Sequence, residues 1–275
     1  MAGNDPMQRE RYAHGYSEPM VRVMASRTAD IYAKFLLPYL TPGMRLLDCG
    51  CGPGSITVGL ARAVSPGETI GIDVEQSQAD AATDAAKREG IGNARFQVAS
   101  IYDLPFDDDS FDVAFMHAVL EHLDRPVDGL AEVLRVLKPG GQAGISHSDF
   151  GVDVVTPPSP FLQMIRTRTT DHWLSEGMDP YIGRHQQALM RRAGFTALET
   201  TVTDNGQGMA MGDDAPRMLR DHRDLFVHAG MLSSAEADDD ALITGYIEEM
   251  EEWRKDPDRT YIFSLGCQTV GSKPG

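Results

Sequence analysis

An α/β chain built on a parallel, doubly wound sheet is predicted by three features of this sequence. Short apolar runs of strand character alternate with helical stretches from Met44 onward. The first run ends in a glycine-rich loop, Asp48-Cys49-Gly50-Cys51-Gly52-Pro53-Gly54, that opens directly into a helical pattern. The second run ends in an acid, Asp73. Strands and helices in this rhythm form a sheet covered on both faces, with ligands at the carboxyl ends of the strands.

The elements follow in order. From Glu18 to Leu40, Met20, Val23, Met24, Ile31, Phe35 and Leu36 recur at helical spacing, and Thr41-Pro42-Gly43 ends the region as a turn. Met44–Asp48 is the first strand and Ser55–Val64 the helix behind it. Ser65-Pro66-Gly67 turns the chain into a strand at Glu68–Asp73, followed by an alanine-rich helix from Gln76 to Glu89. Ala94–Ala99 and Phe111–Met116 are further strands. A helix over Val127–Leu137 is closed by Lys138-Pro139-Gly140-Gly141, after which Gln142–Ser148 forms another strand. Thr156-Pro157-Pro158-Ser159-Pro160 then breaks the rhythm ahead of a helical stretch, Phe161–Glu176, that reads as an insertion over the sheet. Arg184–Ala193 is a helix, Ala197–Asp204 a strand, and Thr260–Val270 a single last strand. Asp213–Lys255 between them is largely helical and acidic, with Asp238-Asp239-Asp240 as a solvated helix start.

Composition narrows the function classes. A chain of 275 residues, 41% of them apolar, can bury a full core. Its 41 acidic against 25 basic residues give a formal charge of -16, which opposes binding to a phosphate backbone, so no nucleic-acid partner is expected. The start has no apolar core of signal-peptide length, and no stretch approaches the roughly 20 apolar residues of a membrane span. Three cysteines, Cys49, Cys51 and Cys267, are an odd, small set that fits a reducing compartment. The expected location is the cytoplasm.

Cys49 and Cys51 invite a metal or redox reading, but no paired CxxC or histidine cluster completes a zinc site, and no metal is expected. The glycines carry the chemistry instead: bare backbone at a strand end and helix start can approach a ligand closely. Ser55 stands where a dinucleotide fingerprint would place its third glycine, so the spacing is G-x-G-x-G. Asp73 lies at roughly the 20-residue separation of a carboxylate that holds a ribose diol. Loop and acid together fit a ribosyl cofactor.

With these segments in view, the chain resembles the class I S-adenosylmethionine-dependent methyltransferases, in particular the small-molecule group that includes ubiquinone and menaquinone biosynthesis methyltransferases. LLDCGCGPG is similar to their first motif, GIDVEQSQAD to their ribose segment, ASIYDLPFDDDSFDVAFMHAVLEHL to their adenine and fourth-strand segments, and EVLRVLKPGGQAGIS to the run into strand five. The resemblance implies a Rossmann-like, seven-stranded, mostly parallel sheet with the last strand antiparallel. It also implies an N-terminal helical lid over residues 1–40, and a methyltransferase domain over 41–275 with lid insertions near 151–182 and 208–256. S-adenosylmethionine is the implied cofactor. A small molecule is the implied partner, and a homodimer is compatible with the reading.

The resemblance also implies site residues. Asp48 supports the loop, Gly50 and Gly52 let the backbone reach the methionine part of the cofactor, and Cys51 fills the narrow space between them. Asp73 accepts hydrogen bonds from both ribose hydroxyls. Val74 and Gln78 lie along the adenine, Ser100 stands where relatives often carry an acid for the adenine amino group, and Ile101 covers the base. Met116 and His117 face the cofactor's amino acid part. Tyr16 and Arg27 either contact the methionine part, with the Arg27 guanidinium pairing with the carboxylate of that methionine, or serve packing.

Methyl transfer from a sulfonium mainly requires alignment and exclusion of water; a base helps only where the acceptor loses a proton. His117, His147 and Asp149 end the fourth and fifth strands on the ligand side. Either histidine is a base or a structural residue, and Asp149 orients one of them or fixes a substrate hydroxyl. His122 reads as a structural helix residue. The methionine-rich stretch from Met209 to Leu232 suits either a lid on a pocket or core packing. The expected function is methyl transfer to an O, N or C atom of a mid-sized organic molecule. The alternative is a protein that binds the same cofactor and catalyses a non-methylating rearrangement or cyclisation.

Overall fold

Leu46–Cys49 (β1), Thr69–Asp73 (β2), Ala94–Val98 (β3), Phe111–His117 (β4) and Leu137–Asp149 (β5) pair in parallel. The computed structural model describes residues 18–203, 237–256, 260–262 and 264–275. Two further strands complete a seven-stranded sheet of order β3-β2-β1-β4-β5-β9-β7, with β7 spanning Thr196–Thr203 and β9 Leu265–Ser272. β9 runs antiparallel to both of its neighbours, as the resemblance implied. Strand order reverses between β1 and β4, which opens a crevice at the carboxyl ends of those strands.

Alternation along the strands sends neighbouring residues to opposite faces. Leu46, Val113 and Phe115 pack on one side with Leu36, Ile56, Leu60 and Val64. Leu47, Ala114 and Met116 pack on the other with Leu130, Val133 and Met190. Each of the larger of these side chains, the leucines, isoleucine, valines, phenylalanine and methionines, contributes about 1.5–3 kcal/mol when fully buried. The helices behind these contacts are α3 (Ser55–Val64), on the first face, and α5 (Pro126–Val136) and α7 (Ile182–Ala193), on the second. Between β2 and β3, α4 (Gln76–Arg88) packs through the small residues Ala79, Ala82 and Ala86.

The N-terminal region is helical in pieces rather than continuous: α1 (Glu18–Ala25), a single turn α2 (Ala29–Tyr32) and a 3-10 turn at Leu37–Tyr39. Arg27 and Thr28 interrupt it. β5 begins at Leu137, with Lys138–Gly141 bulging out between the Phe111↔Leu137 and Val113↔Gln142 pairs, so regular pairing resumes at Gln142 as the sequence indicated. The expected single strand Thr260–Val270 is two strands. β8 (Thr260–Ile262) leaves the main sheet to pair antiparallel with β6 (Val154–Thr156), a strand without a counterpart in the sequence reading. α6 (Pro160–Ser175) lies beyond β5 and is tied to α8 (Ala237–Lys255) by the Ser159 hydroxyl, which donates to Glu249 Oε1 at 2.8 Å. Tyr16 and the Met209–Leu232 stretch lie outside the described residues. Among those described, no helix is long and apolar enough to cross a membrane.

Candidate active site

The glycine loop leaves β1 in a conformation that L-residues with side chains disfavour. Gly50 has φ +72° and Gly54 has φ +78°, both in the left-handed region where the absence of Cβ removes the steric cost. A Cβ at Gly50 would strike the side chain of Val119, and one at Gly54 would come within 2.7 Å of Ala82 Cβ. Gly54 thereby seats the start of α3 on α4, so the loop is fixed from both sides. The middle loop glycine, Gly52, donates its N–H to Asp73 Oδ2 at 2.9 Å, while Glu75 N–H donates to Asp73 Oδ1 at 3.0 Å. Each carboxylate oxygen retains acceptor capacity. Burial pushes the Asp73 carboxyl up from its ordinary pKa, opposed by the two backbone N–H donors.

Loop, Asp73 and strand ends enclose a cavity of about 870 Å³, its open mouth included. Arg27, Gly50, Cys51, Gly52, Asp73 and Val74 line it, together with Ala99, Ile101, Phe115 and His117. Asp48 also borders it, buried, accepting a 2.6 Å hydrogen bond from the Thr57 hydroxyl. Burial, reinforced by Asp73 nearby, raises the Asp48 carboxyl to about 7. Burial also holds the Cys51 thiol well above its usual range, so this cysteine stays a neutral wall residue. Among the described residues no group of three His, Cys, Asp or Glu side chains could hold a metal ion.

Several expected residues stand elsewhere. Met116 packs in the core on the far face from Phe115 and His117, because successive strand residues alternate. Gln78 is buried in α4 behind the cavity wall, and Ser100 is turned inward to accept the Tyr102 N–H at 3.1 Å. Asp149 is not free to orient a histidine or a substrate: Arg184 grips it bidentately at 2.7 and 2.6 Å, and Gly151 N–H adds a third bond at 2.9 Å. His147 is 0% exposed and has both nitrogens engaged, Nε2 with the N–H groups of Val119 and Leu120, and Nδ1 with Gln186 Oε1. Burial lowers its pKa to about 4. It is a buried acceptor, not a base facing substrate.

His117 does face the cavity. Its Nδ1 lies 3.0 Å from the Ser146 carbonyl, which can only accept, so Nδ1 carries the proton and Nε2 keeps its lone pair. Its ring packs on Tyr32 with centroids 4.8 Å apart. Burial, with the Arg27 charge nearby, holds it well below the ordinary histidine pKa, so it is neutral at physiological pH. The cavity also has walls that the sequence reading did not assign: Met24, Val119, His122 and Leu123. Val119 to Leu123 belong to the turn after β4, including a 3-10 segment at Leu120–His122 rather than an ordinary helix. Beside them, buried Glu121 is raised to about 7 by burial.

These features suit a nucleoside cofactor of the kind methyltransferases use. The model of the family described as methyltransferase domain matches residues 47–145. An uncharacterized methyltransferase of Schizosaccharomyces pombe is 31% identical over 98% of this chain and 98% of its own length. An O-methyltransferase of Penicillium expansum is 29% identical, over 88% of this chain and 82% of that protein. The crystal structure of the YcgJ protein from Bacillus subtilis shares the fold, with a TM-score of 0.58 at 19% identity, over 88% of this chain and 97% of that one. The chain belongs to the class I S-adenosylmethionine-dependent methyltransferases. The residues present suit that cofactor: bare loop backbone at Gly50 and Gly52, a buried carboxylate at Asp73, apolar walls at Val74 and Ile101, and the Arg27 guanidinium.

Proposed function

We propose that the protein methylates an oxygen atom of a mid-sized, largely apolar organic molecule carrying a hydroxyl group. The observation that carries this reading is His117, a neutral imidazole on the cavity wall with Nδ1–H committed to Ser146 and Nε2 left as an acceptor. The similarity to an O-methyltransferase supports it, as do the apolar walls at Phe115, Val119 and Leu123.

In this reading Asp73 holds the ribose hydroxyls, Val74 and Ile101 enclose the adenine, and the Gly50–Gly52 backbone with Arg27 receives the methionine part. The bound cofactor supplies an electrophilic methyl group on a sulfonium that departs as a neutral thioether. His117 Nε2 accepts the hydroxyl proton as the acceptor oxygen bonds to carbon. A weak base suffices there, because the O–H becomes strongly acidic as its oxygen gives up electron density. Residues 18–40 act as a cover: Ser55 Oγ donates to the Met24 carbonyl at 2.8 Å, which ties the N-terminal segment to the cofactor loop. The 151–182 segment and α8 form the second part of the lid, and exclusion of water is their role.

The test is formation of S-adenosylhomocysteine from S-adenosylmethionine across a panel of phenols, alcohols, amines and activated carbon acids. Turnover confined to hydroxyl compounds, and lowered about 10²-fold or more in His117→Ala with cofactor affinity retained, is the expected result. Turnover of amines or carbon acids alone, unaffected by the substitution, would overturn it.

A further inference from the structure

The turn after β4 holds a conformation its residues do not favour. Ala118 has φ +55°, a left-handed geometry that crowds the Cβ of an L-residue. The same turn builds the cavity wall: His117, Ala118 and Val119 border the space, and Val119 occupies the position that a side chain at Gly50 would need. A strained segment persists only where its surroundings over-determine it.

Those surroundings converge on a side chain that does not border the cavity. His147 Nε2 accepts from Val119 N–H at 3.1 Å and from Leu120 N–H at 3.0 Å, which an imidazole nitrogen can do only when it carries no proton. Glu121 Oε2 lies 3.4 Å from the same nitrogen, and burial, which raises that carboxyl to about 7, lets it face a bare Nε2 as the neutral acid; the ring proton sits on Nδ1 and is donated to Gln186 Oε1 at 3.0 Å. The Gln186 amide is itself oriented, because its nitrogen faces the Ile145 carbonyl at 3.4 Å, which can only accept, as well as Thr269 Oγ1 at 2.8 Å, and so leaves its oxygen toward the histidine. Thr269 continues to Thr200 Oγ1 at 2.9 Å. One file of hydrogen bonds runs from β7 and β9, through α7 and β5, to the backbone of the cavity wall.

We infer that His147 is a positioning residue whose Nδ1–H tautomer, set by Gln186, clamps the strained Ala118–Leu120 turn and thereby fixes Val119 against the cofactor loop and His117 in the cavity. The effect on cofactor affinity rests on the reading of that cavity as the S-adenosylmethionine site; the tautomer and the clamp do not.

The full-length chain with S-adenosylmethionine as probe provides the test. His147→Leu removes the acceptor, while His147→Gln retains an oxygen within reach of the two N–H groups. In His147→Leu, amide exchange at Val119 and Leu120 should accelerate about tenfold or more while Ala114 and Phe115 within β4 stay protected. Cofactor affinity should fall about tenfold, the scale set by loss of two buried hydrogen bonds. His147→Gln should recover most of both. Nitrogen NMR of the wild type should show a protonated Nδ1 and a bare Nε2. An Nε2–H tautomer, exchange that rises uniformly along β4, or unchanged cofactor affinity in folded His147→Leu would overturn the inference. Should that variant not fold, Gln186→Leu frees the tautomer and should raise exchange at the same two amides; unchanged exchange there would equally overturn it. A wild type that binds no S-adenosylmethionine would sink the site reading, with the tautomer and exchange results still deciding the clamp.

Discussion

The Gly52 N–H donates to the Asp73 carboxylate at 2.9 Å, so the loop that ends β1 and the acid that ends β2 are one unit. Asp73 thus has two tasks, bracing the loop and presenting its remaining acceptor capacity to the cavity. Asp73→Ala should weaken S-adenosylmethionine binding by about 1.5–3 kcal/mol, the range for hydrogen bonds to a charged group. Calorimetric titration measures this, and an unchanged affinity would contradict the ribose assignment.

Gly50 and Val119 interlock, so their substitutions should not be additive. Gly50→Ala meets both a left-handed backbone, which costs an L-residue roughly 1–2 kcal/mol, and the Val119 side chain. Val119→Ala in the same chain removes the second obstacle only. Denaturant midpoints for the two single variants and the double variant should show partial rescue, with a coupling of about 0.5–3 kcal/mol for residues in contact.

The acid at Asp48 makes stability fall as pH rises. Its carboxyl ionises near 3.8 in an unfolded chain and near 7 in the fold, where burial disfavours the charge. Below 3.8 both states are protonated and the group has no effect. Between these values the unfolded chain binds fewer protons than the folded one, so unfolding becomes progressively easier, and above 7 the loss is constant. Asp48→Asn keeps an oxygen for the Thr57 hydroxyl and removes the titration. The variant should be about 2–4 kcal/mol more stable than wild type at pH 8, with little difference at pH 4. Urea unfolding at the two pH values checks the sign.

The Asp149–Arg184 pair should prove to be an anchor for α7. Arg184→Ala leaves a buried carboxylate with the Gly151 N–H as its remaining partner. Because the Arg184 side chain is 43% exposed, solvent screens part of the pair, and a loss of about 1–3 kcal/mol is expected. Turnover per folded molecule should stay near wild type in this variant; a large drop in kcat without a change in stability would return Asp149 to the chemistry.

The sequence made the local parts of this molecule legible and its non-local pairings opaque. Ser55–Val64 reads as a helix from its own spacing, and Gly50, Gly52 and Asp73 announce a ligand site because their strand-loop-helix context is contiguous. Thr260–Val270 looks like one strand because nothing in its composition marks the break; the break exists because Val154–Thr156 captures the first three residues. His147 and Asp149 share a face of β5 and look alike as candidates. Their partners, Gln186 and Arg184, sit on a helix that begins more than thirty residues later, so only the tertiary structure separates a clamp and an anchor from a catalytic pair. Met116 could have been set aside from strand alternation alone, since Phe115 and His117 claim the other face.

The placement of β9 has a consequence for how the molecule is made. Among the described strands β7 borders only β9, and β9 also covers the flank of β5. During synthesis β5 and β7 emerge well before Leu265 does, and until then the edges that β9 will cover have no partner from this sheet. The methyltransferase half up to β5 can assemble as the chain appears, whereas the outer flank must wait for a strand that arrives late and threads between two already made. That interval is when the nascent chain offers open strand edges to foreign chains.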